Sequence, residues 1–194
     1  MSQRSSEINQ SLQHGWELHK LGKLNEAQKL YERVLILQPN HFDALQLLGT
    51  IFAQTGIYHQ AAELLSKALT INPNDAYCYN SLGIVLQELN RLEESLNSFE
   101  KVISIEPNYA EAYFSCGIIL HDLKRLEEAL CSYDKAIGIK ADYADAYYNR
   151  GNILRKLKRL EEALSSYDKA INIKVDYAQR LTSIVALSCR NLID

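Results

Sequence analysis

Gly15, Gly49, Gly83, Gly117 and Gly151 recur at a spacing of 34 residues along the whole chain. Proline keeps the same period at Pro39, Pro73 and Pro107, with Ala141 and Val175 in the corresponding places afterwards. Setting each glycine at position 8 divides the chain into a lead-in (1–7), five repeats (8–41, 42–75, 76–109, 110–143 and 144–177) and a trailing segment (178–194). Repeats four and five match at 24 of 34 positions. A unit this short cannot bury a core alone, so a fixed period of this length requires units stacked upon one another.

Each repeat reads as two short helices. In repeat four the first spans about 111–123, with Tyr113, Cys116, Gly117 and Leu120 on one stripe at helical spacing. The second starts at Leu126-Glu127-Glu128-Ala129, where acidic residues suit the positive end of a helix, and runs to about Lys140. Ala129, Leu130, Tyr133, Ala136 and Ile137 form its inner face. The turn between the helices holds Gly22 and Gly56 in the first two repeats, residues that tolerate a positive φ. Asn90, Lys124 and Lys158 replace them later, and the lysines suggest a less strained turn there. Gly at position 8 and Ala27, Ala61, Ser95, Ala129 or Ala163 at position 20 let two helices approach closely. Tyr31, Leu65, Phe99, Tyr133 and Tyr167 at position 24 fill the space beside them.

This pattern closely resembles the tetratricopeptide repeat. It stands here as Tyr79-x2-Leu82-Gly83-x2-Leu86, Ser95-x3-Phe99-x2-Val102 and Pro107, and again as Tyr147, Gly151, Ala163, Tyr167 and Ala170. The resemblance implies an all-α fold, a right-handed superhelical solenoid of antiparallel helix pairs with about 11 helices. Repeat one departs from the pattern at Ser11 and His14, and repeat five at Arg150, whose charged head would have to snorkel. The trailing segment, with Leu181, Ile184 and Val185, reads as a capping helix or the first helix of a partial sixth repeat. Its apolar Leu187, Leu192 and Ile193 also suggest a homo-oligomer contact through this helix.

Proteins of this family commonly bind a peptide or extended protein segment on a concave surface lined by the first helices. Carrying the family's groove positions over one by one leads to Asn9, Leu12, Trp16, Leu47, Tyr77, Asn80, Ile84, Phe114, Ile118, Tyr148, Asn149, Asn152 and Arg155. Leu12, Trp16, Leu47, Tyr77, Ile84, Phe114, Ile118 and Tyr148 form an apolar and aromatic stripe, about half of which should pack between adjacent helices. The amides beside it can both donate to and accept from a ligand backbone. By repeat, the formal charge is +1, −2, −3, −2 and +2, an acidic middle with a basic end. The clamp that holds chaperone carboxylates is not matched in either register: Leu12, Trp16 and Leu47 occupy one, Ile84 and Asp145 the other. The asparagine ladder of O-linked N-acetylglucosamine transferases is met only at Asn149. The function implied is a non-enzymatic protein-protein interaction module or scaffold. The alternative is a substrate-recruiting arm of a larger enzyme such as a glycosyltransferase.

Composition narrows the partners. With 21 Lys+Arg against 24 Asp+Glu, the net charge of −3 lacks the concentrated positive field that nucleic acids or membranes demand. No apolar run is long enough to span a bilayer, and the first residues lack the apolar core of a signal peptide, so the chain reads as cytoplasmic. Cys78, Cys116, Cys131 and Cys189 form no metal-ligand spacing, and no catalytic motif is present. No cofactor, metal site or catalytic residue is expected. Tyrosine is abundant, with 12 against 4 Phe and 1 Trp. Nine of the twelve recur at positions 4, 24 and 34 as architecture, and Tyr58 holds the place of Leu92, Leu126 and Leu160. Only Tyr77 and Tyr148 are left for the groove.

Overall fold

The structure, a computed structural model, describes residues 2–190, and the side chains of residues 4–175. Its helices are α1 (Ser2–Lys20), α2 (Leu24–Leu37), α3 (Phe42–Gln54), α4 (Tyr58–Ile71), α5 (Ala76–Glu88), α6 (Leu92–Ile105), α7 (Ala110–Asp122), α8 (Leu126–Ile139), α9 (Ala144–Lys156) and α10 (Leu160–Arg190). The fold is all-α, and each repeat forms one helix pair. The chain divides into two compact units, Met1–Pro107 with α1 to α6 and Asn108–Asp194 with α7 to α10. Within each unit every helix packs on the next in sequence, and α3 on α5 and α7 on α9 also touch.

The periodic glycine is a packing requirement. A Cβ on Gly117 would lie 2.5 Å from Cε1 of Tyr133, closer than any side chain tolerates. The same position meets Tyr31, Leu65, Phe99 or Tyr167 in the other repeats. Each position-24 side chain thus occupies the volume that a larger first-helix residue would need. Ser95 stands where the other repeats have alanine. It is fully buried, and its hydroxyl donates to the carbonyl of Gly83 at 2.6 Å, which satisfies the extra polar atom.

The turns correct one expectation. Asn90, Lys124 and Lys158 adopt φ of 56°, 64° and 61°, the same left-handed conformation as Gly22 (73°) and Gly56 (77°). The lysine turns are therefore as tightly wound as the glycine ones. In each, two backbone bonds close the first helix: Lys124 N–H donates to His121 C=O at 3.0 Å and Arg125 N–H to Leu120 C=O at 2.8 Å. The second helices then open on an arginine–glutamate pair, Arg91–Glu94, Arg125–Glu128 and Arg159–Glu162, each bidentate at 2.6–2.7 Å.

Both ends differ from a plain reading of the period. The lead-in is helical, because α1 already begins at Ser2, with Arg4 donating to the Leu37 carbonyl and Glu7 paired with Arg33. At the other end, the described residues form ten helices, in keeping with the expected count of about eleven. The second helix of repeat five runs without a break through the start of the trailing segment to Arg190. Proline is not what decides this, since Lys140-Ala141-Asp142-Tyr143 turns without one. Position 3 of a docked first helix is a small, fully buried residue: Ala44, Cys78, Ala112 and Ala146. The trailing segment offers Arg180 there. The packing of the expected cap lies outside the described side chains.

Candidate functional site

The first helices α1, α3 and α5 carry the candidate residues of the first unit. Leu12 and Leu47 are half-buried, packed on the core that includes Leu18, Tyr31, Leu45 and Leu48. Trp16 is 47% exposed and Tyr77 56% exposed, and Ile84 is similarly open, so three large apolar side chains face solvent. Trp16 is held by its neighbours: the His19 ring meets it edge-on at 5.9 Å and the Lys20 ammonium lies 5.9 Å from its ring. His19 in turn bonds Gln54 through Nε2 at 3.1 Å. Asn80 is half-buried on α5 between Tyr77 and Ile84. Asn9 is exposed and stands apart, lining a cavity of 620 Å³ with Ile8, Leu37 and His41 that no other candidate residue reaches.

In the second unit, α7 and α9 place Phe114, Ile118, Tyr148, Asn149, Asn152 and Arg155. Phe114 is locked, its ring 5.8 Å from Tyr133 and 4.8 Å from Tyr143. The Tyr143 ring carries the Lys140 ammonium at 4.7 Å, and Lys140 also pairs with Glu111 at 3.1 Å. A bond from its own backbone amide, then Lys140, hold the Glu111 carboxyl below the usual range. Burial pushes the Tyr143 phenol up to about 12, helped by Glu111 and Asp145. Ile118, Asn149 and Asn152 line a cavity of 210 Å³ with His121, Tyr133 and Ile153, and Lys156 contacts the His121 ring. Tyr148, Asn152 and Arg155 line a larger cavity of 590 Å³ together with Tyr167, Ala170, Ile171 and Lys174 of α10. Asn152 Oδ1 accepts from the Tyr167 hydroxyl at 2.9 Å.

Four of the eight stripe residues, Trp16, Tyr77, Ile84 and Tyr148, are therefore open, and four are packed in part. Arg150 does not send its head into water. Its guanidinium donates to Asp134 at 2.6 Å and to the Ser166 hydroxyl at 2.7 Å. The second-helix residues of the larger cavity were not anticipated, because position 28 reads as inner face in every repeat. The signal was that Val185, 34 residues after Gly151, breaks the glycine period. Among the described residues no cluster of His, Cys, Asp or Glu is placed to hold a metal ion, and no helix is long and apolar enough to cross a membrane. Burial, with Asp75 nearby, pushes the Cys78 thiol up to about 12, which keeps it protonated and unreactive.

The family model "Tetratricopeptide repeat" matches residues 144–177, and the related "TPR repeat" model matches 87–124 and 119–157. The chain is a tetratricopeptide-repeat protein. The model of "Anaphase-promoting complex, cyclosome, subunit 3" matches this array over residues 20–102. No curated protein matches the sequence. Among solved structures, the array resembles MamA with a TM-score of 0.82 at 24% identity, over 85% of this chain and 96% of that one. MamA from Desulfovibrio magneticus RS-1 gives a TM-score of 0.83 at 19% identity, over 88% and 96%. YrrB, described as a TPR protein with an unusual peptide-binding site, gives 0.78 at 26% identity, over 89% of each chain.

Proposed function

We propose that this protein is a non-enzymatic interaction module that holds an extended peptide segment along its first helices. The observation that carries the reading is the exposure of Trp16, Tyr77 and Ile84 on the first helices α1 and α5, while the other exposed large apolar residues of that unit, Leu21, Ile36, Ile57 and Ile71, lie in turns and second helices. Large apolar side chains left in water on a rigid surface are the usual anchors of a binding site. Asn80 and Gln87 on the same helix supply amides for a peptide backbone, and the exposed Asp43 and Glu88 favour basic residues flanking the apolar anchors of the ligand. The likeness to YrrB, whose structure is described with a peptide-binding site, supports the same use of the fold.

Trp16 is the single tryptophan, so its fluorescence reports binding directly. Peptides selected from a random display library on the wild-type protein should quench or shift that emission. The same peptides should bind Trp16→Ala/Tyr77→Ala/Ile84→Ala at least about 100-fold more weakly, since each truncated anchor costs about 1 kcal/mol or more. Phe114 is kept out of this variant because its removal would open the Tyr133–Tyr143 packing. Equal affinity of selected peptides for wild type and triple variant, measured by anisotropy of labelled peptide, would sink the reading.

A further inference from the structure

The 210 Å³ cavity of the second unit, walled by residues of α7, α8 and α9, is rich in hydrogen-bond donors and short of acceptors. Asn152 Oδ1 is taken by the Tyr167 hydroxyl, which fixes that amide and leaves its N–H groups to donate. His121 Nε2 accepts from the Lys156 ammonium, so it has no acceptor to offer, and Nδ1 of the same ring lies 3.4 Å from Asp122. Asn149 is half-buried in the wall, and its side-chain amide has no partner among the described residues. Tyr133 is 2% exposed, and its hydroxyl also lacks one there: the asparagine that satisfies Tyr167 from position 9 is replaced by Ile118 in repeat four. Ile118 and Ile153 form the apolar part of the wall. Sites that enclose a whole small molecule measure roughly 300–1,000 Å³, so this one has room for a single side chain.

We propose that this cavity takes the carboxylate of an Asp or Glu side chain of a peptide held on the first helices. The proposal rests on the peptide reading and adds the class of residue that the second unit recognises. A carboxylate brings two oxygens with about four lone-pair sites, enough to meet the N–H groups of Asn149, Asn152 and Lys156 and the Tyr133 hydroxyl together. A backbone carbonyl, with one oxygen, would leave most of these donors unmet. The Lys156 ammonium makes its bond a charge-assisted one, and Ile118 and Ile153 suit the methylene stem. Charge agrees with this choice. α9 ends on Arg155 and Lys156, two cations against the one charge of Asp122. A phosphoryl group would set a second negative charge beside that aspartate, which a carboxylate avoids. Phe114 and Ile118 stand where the chaperone clamp needs its lysine and asparagine, so these donors form a different arrangement.

A mutant cycle between peptide and protein tests it. Peptides selected from a random display library on the full wild-type chain should contain an Asp or Glu whose replacement by Asn or Gln weakens binding at least about tenfold, measured by anisotropy. On Lys156→Met, which keeps the apolar stem, the same replacement should change affinity by less than about twofold, since the charged partner is gone. Lys156 is exposed, so the variant should keep the helical circular-dichroism spectrum of the wild type. Selected peptides that depend on Trp16, Tyr77 and Ile84 but respond to no acid-to-amide replacement overturn this proposal and leave the peptide reading standing. An acidic residue that matters as much to Lys156→Met as to the wild type overturns it too, because its partner then lies elsewhere. A protein that selects no peptide removes the peptide reading and this proposal with it.

Discussion

Replacing Tyr31 by phenylalanine should stabilise the protein. Tyr31 is fully buried against Gly15, and its hydroxyl has no hydrogen-bond partner among the described residues. A buried polar group left without a partner costs about 1–3 kcal/mol. Phenylalanine keeps the ring contacts and loses only the oxygen, a void no larger than a methyl group that costs about 1 kcal/mol or less. The same chain already shows the exchange working, because Phe99 fills position 24 of repeat three, equally buried, with no hydroxyl at all. The net expectation is a gain of about 1 kcal/mol, which raises the melting midpoint by about 2–4 °C for a chain of this size. Burial also pushes the Tyr31 phenol up to about 12 from its ordinary 10.0. Its folded pKa lies above its unfolded one, so the stability it contributes is complete below pH 10 and is lost as pH rises towards 12. Tyr31→Phe removes that share, and its advantage over wild type should widen between those pH values. Urea titrations followed by circular dichroism at pH 7, 10 and 11.5 measure both effects. A variant that loses 1 kcal/mol or more at pH 7 would refute the reasoning. It would mean that the hydroxyl is satisfied, the neighbouring His19 ring at 6.4 Å being the first group to suspect.

Other substitutions probe the remaining packing rules. Gly117→Ala should cost about 1–3 kcal/mol, because Tyr133 is buried and cannot yield to the new methyl. Gly138→Ala, with nothing within 4 Å, should gain about 0.5 kcal/mol from helix propensity; chemical denaturation distinguishes the two signs. Lys124→Gly and Lys158→Gly should each stabilise by about 0.5 kcal/mol, relief of the left-handed lysine outweighing the extra freedom of glycine when unfolded. Their melting temperatures decide it. Arg150→Leu should be neutral or stabilising, since Asp134 is half exposed and returns to water without penalty. Arg150→Ala should cost about 1–2 kcal/mol in lost packing and hydrogen bonds, which differential scanning calorimetry of both variants would reveal.

The fold was legible because its determinants are local and repeated. A glycine at position 8 and a small residue at position 20 report one steric fact, the approach of two helices, and the chain states it five times. The helix limits follow from the same period: Ala110–Asp122 and Leu126–Ile139 fall within a residue of the spans read in repeat four. What remained hidden in the turns was backbone energy. A lysine looks like relief from strain, yet Lys124 and Lys158 take the glycine conformation, because the bonds from Lys124 N–H and Arg125 N–H to the preceding helix hold them there. Arg150 misled in the opposite direction. A charge at an apolar position suggests escape to solvent, but its partners Asp134 and Ser166 come from the flanking second helices, 16 residues away on either side, and no single repeat contains them.

The candidate site was legible by position and not by exposure, and the reason is physical. A repeat position states which way a side chain points along the solenoid, whereas exposure depends on what the next unit places over it. Leu12, Leu47 and Phe114 share groove positions with residues that stay open, and neighbouring side chains cover them. The reverse holds for Leu164 and Ile171. Their types and positions repeat those of Leu130 and Ile137, so their sequence context reads as core, yet they lie in solvent, and α10 runs on to Arg190 without the turn that closes the earlier second helices. An array read by its period alone therefore overstates the open surface on its first helices and understates the exposed apolar surface on α10. The most informative residues in such a protein are those whose burial breaks the period while their identity keeps it, and in this chain Leu164 and Ile171 meet that description.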